Sequence, residues 1–261
     1  MNDNTSENKP VSLCFLINGN LSDLLRGTLA GKHSFNHIIH RKASIKDVVE
    51  SLGIPHPMVG DLLVNGQPVS FDYIVEDGDQ VEVMPLNPPV DFLTPSVLRP
   101  HPLPAVRFLA DVNVGKLASL LRMAGFDTAY QNHLHDAALA AIASKEKRIL
   151  LTKDTNLLKR KKVEFGYLVR EIAPPRQLAE IIRLFGLENK VKPFTRCMQC
   201  NGVLEPVAKE KILDRLEPLT KKYYHSFHRC PDCGKIYWAG SHKDNMLKYI
   251  DFINSDPPQS R

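Results

Sequence analysis

Two groups of side chains in this 261-residue chain have the types and spacing for chemistry. The first is Cys197-Met198-Gln199-Cys200-Asn201-Gly202 with Cys230-Pro231-Asp232-Cys233-Gly234. Each is a C-x-x-C followed closely by glycine, which lets backbone amides turn toward the sulfurs. Four thiolates in tetrahedral geometry make a closed structural zinc site built from Cys197, Cys200, Cys230 and Cys233. The 29 residues between the knuckles exceed the common ribbon spacing, so an inserted helix is expected around Lys209 to Leu216. A redox role needs only one such pair, and neither pair opens a helix after a thioredoxin-like strand. His225 and His228 lie between the knuckles, but four cysteines already satisfy an ion, so these imidazoles are expected at the surface or facing a bound partner.

The second group is acidic. Asp111 directly follows the apolar Phe108-Leu109-Ala110, Asp136 opens a helical stretch, and Asp154 ends Leu150-Leu151-Thr152-Lys153-Asp154. In an open α/β sheet a ligand sits beyond the carboxyl ends of the strands, and right-handed crossovers would turn all three acids to one rim. Clustered carboxylates repel and call for a cation. Oxygen-only ligands suit Mg²⁺ or Mn²⁺, which keep several waters and take up substrate phosphate. Metal-assisted phosphodiester hydrolysis is the chemistry that follows. Lys116, Arg122, Arg148, Lys153 and the run Lys159-Arg160-Lys161-Lys162 can hold a nucleic-acid backbone. The competing reading makes each aspartate a helix cap, a common use of that residue. His133 and His135 fall near the same rim, but no partner in the sequence gives either a catalytic role.

The elements that must position these groups can be read from periodicity. Val106 to Ala110, Phe126 to Tyr130, Arg148 to Thr152 and Phe165 to Val169 are predicted strands. They alternate with predicted helices: one carrying Leu117, Leu120, Leu121 and Ala124, one over Asp136 to Ser144, a short one over Asn156 to Lys161, and one over Gln177 to Phe185. Such alternation implies a parallel sheet covered by helices. Upstream, the order is different. Val11 to Ile17 is a predicted strand and Ser44 a predicted helix cap, with Ile45, Val48, Val49 and Leu52 on one face. Leu62 to Val69 reads as a hairpin on Asn65-Gly66, and Asp77-Gly78 precedes a strand from Gln80 to Met84. Between the two regions, residues 87–105 hold six prolines and are expected to form an extended, semi-rigid connector.

Hydrophobic residues make up 43% and charged residues 24% of the chain, which excludes wholesale disorder. No apolar run approaches the roughly 18 residues that a membrane span requires, and Met1 to Pro10 is polar, so a cytoplasmic protein without membrane partners is expected. Residues 1–86 carry 6 basic and 11 acidic groups, while residues 107–190 carry 15 and 9 and residues 191–261 carry 12 and 8. The basic two thirds suits a polyanion, as it suits ordinary solvated surface.

Two resemblances carry further expectations. Val64-Asn65-Gly66-Gln67-Pro68-Val69 and Glu76-Asp77-Gly78-Asp79-Gln80-Val81 resemble the β-grasp, ubiquitin-like sulfur carriers. Those carriers act through a free Gly-Gly terminus, whereas this module runs on through Met84-Pro85-Leu86, so a docking or structural role is implied instead. Phe108-Leu109-Ala110-Asp111, Gly115-Lys116-Leu117-Ala118, Leu121-Arg122-Met123-Ala124-Gly125-Phe126-Asp127, Asp136-Ala137-Ala138-Leu139 and Arg148-Ile149-Leu150-Leu151-Thr152-Lys153-Asp154 resemble the Mut-seven C-terminal ribonuclease family. That resemblance implies a PIN-like nuclease fold, a zinc ribbon and, ahead of them, a ubiquitin-like module. It further implies metal-binding roles for Asp111, Asp136 and Asp154 and RNA contacts for Lys116 and Arg122; endonucleolytic cleavage is expected, while the sequence itself leaves internal and end cleavage open. The PIN-like group commonly uses a fourth acid that has no clear counterpart here. Asp127 falls on the far side of its strand, while Asn113 and Asn156 offer neutral oxygens.

The expected organisation is a tail at 1–10, a β-grasp domain at 11–86, a linker at 87–105, a PIN-like α/β domain at 106–190, a zinc ribbon at 191–254 and a tail at 255–261. Lys116, Arg122 and Lys153 are the expected RNA-backbone clamps, RNA the partner and an unidentified protein a further partner through the β-grasp module. The rival is a non-catalytic RNA-binding or adaptor protein whose acids are structural. Phosphate contacts alone do not separate RNA from DNA.

Overall fold

We describe residues 10–238 from a computed structural model of the chain. The tail at 255–261, the ribbon segment 239–254 and all but Pro10 of the N-terminal tail lie outside these residues. Two compact units emerge, and neither is continuous in sequence. One joins the described part of Met1–Ala105 to Asp136–Leu168; the other joins Val106–His135 to the described part of Val169–Arg261.

In the first unit, β1 (Val11–Ile17) alternates buried and exposed residues along its length, as a strand with one covered face must. It pairs antiparallel with β2 (Ser34–Ile39) and parallel with β5 (Gln80–Pro85). Helix α1 (Ile45–Leu52) starts where the Ser44 hydroxyl accepts the Asp47 amide at 3.2 Å, and buries Ile45, Val48, Val49 and Leu52. β3 (Val59–Val64) turns into β4 (Gln67–Pro68) on Asn65-Gly66, both with positive φ, as a primed hairpin turn demands. The sheet order β2-β1-β5-β3-β4, crossed by one helix, is the ubiquitin-like β-grasp. Phe15, Leu13, Ile17, Ile45, Ile54 and Leu62 are fully buried beneath it, each stabilising the module by roughly 1.5–3 kcal/mol before entropy is counted.

The proline-rich stretch departs from the expected connector. Phe92, Leu98, Leu103 and Arg99 are all buried. Arg99 Nη2 donates to the carbonyls of Pro57 and Val59 at 3.0 Å each, and its guanidinium lies 5.0 Å from the Phe92 ring centroid. Burial lowers the Arg99 pKa to about 10, so the group still enters the interior charged. Phe92 in turn meets Phe165 edge-on at 5.2 Å. Apolar residues among the prolines thus strap this segment to the unit.

The alternating α/β region is built from β6 (Phe108–Ala110), α2 (Gly115–Met123), β7 (Thr128–Tyr130), α3 (Asp136–Glu146), β8 (Ile149–Thr152), α4 (Thr155–Leu158), β9 (Gly166–Leu168) and α5 (Pro174–Leu184). Its four strands form a parallel sheet in the order β7-β6-β8-β9. β6, β8 and β9 are buried at every position, which explains their continuous apolar runs. In the first unit, β9 has its Leu168 N–H directed at Met58 Sδ, 3.1 Å away, just ahead of β3.

The second unit contains the cysteines. β10 (Glu205–Val207), β11 (Phe227–Arg229) and β12 (Ile236–Trp238) form an antiparallel ribbon. The inserted segment is a 3₁₀ helix over Lys209–Arg215 followed by α6 (Pro218–Tyr223), in place of the single helix expected. Ile212, Leu216 and Phe227 form its core, with Tyr224, Ile236 and Trp238 packed against them. Trp238 is therefore a core side chain. Among the described residues no helix is long and apolar enough to cross a membrane.

Candidate functional site

The four cysteines converge. Cys197 and Cys230 are buried, Cys200 and Cys233 exposed, and the four sulfurs lie within 4.8 Å of one another. Cys197 Sγ is 3.5 Å from Cys233 Sγ, and Cys200 Sγ 3.3 Å from Cys230 Sγ. A tetrahedral ion with bonds of about 2.3 Å places its sulfurs about 3.8 Å apart, so the quartet fits Zn²⁺. Asn201 and Gly234 carry positive φ just after each pair, and the Cys200 amide points at Cys197 Sγ at 3.5 Å. Burial pushes the Cys197 thiol up, but the Tyr237 hydroxyl at 3.1 Å and the amides of Cys200 and Gln199 outweigh it and hold the thiol down at about 6. Burial and thiol neighbours push Cys200 up to about 12. Among the described residues this is the one group of three or more His, Cys, Asp or Glu side chains gathered closely enough to hold a metal. His225 is exposed and His228 half-buried, and neither belongs to it.

A buried cation braces the first knuckle. Arg122, expected on the RNA-facing surface, is only 4% exposed. Its Nε donates to the Thr128 carbonyl at 2.8 Å, and its Nη1 to the carbonyls of Met198 and Gln199 at 3.1 and 2.8 Å. Burial lowers its pKa, and the charges of Cys197 and Cys200 act to raise it. The expectation of a phosphate clamp is corrected here: the long side chain reaches from α2 to the C-x-x-C loop, where its charge opposes that of the thiolates. Asn201 completes the tie, accepting the Thr128 amide at 3.0 Å and donating to Asp127 at 2.8 Å, while Arg196 stands 3.6 Å from the same carboxylate. Asp127 thus serves the ribbon.

Asp111 lies in the same unit, 6% exposed at the end of β6. Its Oδ1 accepts the Val112 amide and its Oδ2 the Asn113 side-chain amide, each at 2.6 Å. Lys116 is exposed on the first turn of α2. A side chain at Gly115 would strike the Tyr130 ring, with a Cβ only 2.5 Å from its hydroxyl, so the glycine lets Tyr130 lie against the start of α2. Periodicity had no means of singling out Tyr130.

Asp136 and Asp154 belong to the first unit. Asp154 caps α4, with Oδ1 accepting the Asn156 amide at 2.7 Å, and its own amide donates to Thr152 Oγ1 at 3.0 Å, a fully buried hydroxyl. Asp136 opens α3 and meets Arg160 Nη2 at 3.4 Å, both side chains being nearly half exposed. Such a pair contributes under about 1 kcal/mol. Lys153, His133 and His135 are exposed. The bonds named here use one lone pair of Asp154 and two of Asp111, and an ionised carboxylate has about four, so the cap and ligand roles are compatible. The donors are hard oxygens, the set preferred by Mg²⁺ and Mn²⁺.

Comparison with known proteins adds two matches. Residues 106–250 match the family model described as the Mut7-C RNAse domain, and residues 12–91 match the one described as Mut7-C ubiquitin. No curated protein and no solved structure matches the chain.

Proposed function

Because the chain belongs to the Mut7-C ribonuclease family, whose model spans residues 106–250, we propose that it is a divalent-metal-dependent ribonuclease that cleaves RNA internally, in the cytoplasm. The family match is the observation that carries this reading. In it, Asp111, Asp136 and Asp154 supply carboxylate ligands to a hydrated Mg²⁺ or Mn²⁺ that also takes up substrate phosphate, although among the described residues they do not form a close group of ligands as the cysteines do. Such an ion supplies charge neutralisation at the phosphate and a more acidic water. Asp111 and Asp154 each follow a buried strand of the parallel sheet, and Asp136 opens the helix after β7, the strand-end setting in which such folds place their ligands. Lys116 and Lys153, both exposed, contact the RNA backbone. The cysteine quartet holds structural zinc, and the basic ribbon around it adds to the grip on RNA. The β-grasp module is also free to engage a protein partner.

The test is cleavage of end-labelled single-stranded and hairpin RNA with Mg²⁺, Mn²⁺ or EDTA, comparing wild type with Asp154→Asn. Internal products that need metal and vanish in the variant are expected. Binding without cleavage under every metal would replace this reading with that of an RNA-binding adaptor.

A further inference from the structure

Helix α4, which follows Asp154, is a single turn of four residues, too short to be stable alone. Both of its ends are held by the β-grasp module of the same compact unit. At the N-terminal end, Arg26 Nη2 donates to Asn156 Oδ1 at 3.1 Å, and the Asn156 amide donates to Asp154 Oδ1 at 2.7 Å. At the C-terminal end, Lys159 Nζ donates to the Glu50 carbonyl at 2.6 Å. Arg26 itself is presented by fixed backbone. Its amide donates to the Leu52 carbonyl at 3.0 Å, where the chain passes over Gly53. At Gly53, φ is +125° and a Cβ would come within 2.2 Å of the Leu24 carbonyl oxygen, so only glycine lets the Arg26 loop close down on α1.

We propose that the β-grasp module is a working part of the nuclease: Arg26, acting through Asn156, is a positioning residue that holds the Asp154 carboxylate in the orientation that takes up the metal. This rests on the ribonuclease reading for the role of Asp154. It gives the module a function that needs no outside partner. The chain of contacts runs from a rigid loop, through one side-chain amide, to the amide that caps the carboxylate. Outer groups that orient a metal ligand in this way typically change metal affinity or activity 10–100-fold when removed.

The experiment uses the full chain with Arg26→Ala, Arg26→Lys and Asp154→Asn. Three readouts are taken: amide hydrogen exchange, Mn²⁺ binding by calorimetry, and single-turnover cleavage with RNA affinity measured in parallel. Arg26→Ala should speed exchange of the Asn156 amide by about tenfold and weaken Mn²⁺ by a similar factor, while amides of β1 and β5 exchange as in wild type. Cleavage should slow by the same factor at unchanged RNA affinity, and Arg26→Lys should restore part of each effect. Wild-type exchange at Asn156 together with wild-type Mn²⁺ affinity in Arg26→Ala would overturn the proposal, even with Asp154→Asn inactive and the nuclease reading intact. Loss of RNA affinity at an unchanged cleavage rate would also overturn it, making Arg26 an RNA contact. Loss of β1 and β5 protection in Arg26→Ala would pass the decision to Arg26→Lys on the same readouts. A wild type that cleaves nothing with any metal sinks the nuclease reading, while the exchange and Mn²⁺ data still decide whether Arg26 positions Asp154.

Discussion

The cysteines, gathered closely enough to hold a metal, and the aspartates, proposed as metal ligands, are disposed in the chain by opposite means. The sulfurs are brought within 4.8 Å of one another by two short loops on a ribbon, with Arg122, Asn201 and Tyr237 fixing the surroundings. Little there depends on distant topology. The aspartates are spaced along 44 residues of sequence from Asp111 to Asp154, and each already has local employment as a cap or an ion-pair partner. A soft, closed site stabilises a small domain by being finished in advance. A hard, hydrated site is suited to turnover because part of its coordination is left to water and substrate.

That contrast can be broken or sharpened by substitution, beginning with the largest effect. Asp154→Asn should lower the cleavage rate by about 10³-fold or more while leaving the melting temperature nearly unchanged, since asparagine caps a helix as well as aspartate. A variant that melts early and keeps cutting would reverse the assignment. Cys200→Ser should behave in the opposite way, with bound zinc falling from about one equivalent toward none and amide protection lost over β10, β11 and β12. Elemental analysis and hydrogen exchange check it. Arg122→Met keeps the buried stem but strands three carbonyls, and should cost roughly 3 kcal/mol in chemical denaturation with no change in RNA affinity. An RNA defect without a stability defect would restore the phosphate-clamp role to Arg122. The smallest effect belongs to Lys153→Ala, which should weaken RNA binding a few-fold and reduce the salt slope by about one, leaving stability untouched.

The β-grasp was legible because its turns are chemically explicit: Asn65-Gly66 needs positive φ at both residues, and Ser44 stands where a helix needs a cap. The cysteine quartet was legible for the same reason, since its spacing is itself the geometry. Arg122 was not. It follows Leu121 on an amphipathic helix, and periodicity assigns such a cation to solvent unless one knows that a carbonyl-rich loop, 76 residues onward, waits above it. The proline-rich segment misled in a similar way. Six prolines suggest a free spacer, while Phe92, Leu98 and Leu103, spaced without period, were the trace of its packing. The inserted segment of the ribbon became a 3₁₀ helix followed by a short α-helix, with the boundary at Pro218, which ends one run and starts the next.

The Met58 thioether that meets the Leu168 N–H has a consequence for aggregation. β9 is the last strand of its sheet, and an outer strand with open backbone donors is a template for pairing with other chains. Native proteins blunt such edges by covering them, and here the cover is supplied by the turn that leads into β3. A protein cut back to residues 106–261 would retain the family's nuclease signature and lose this guard, so it would tend to associate edge to edge.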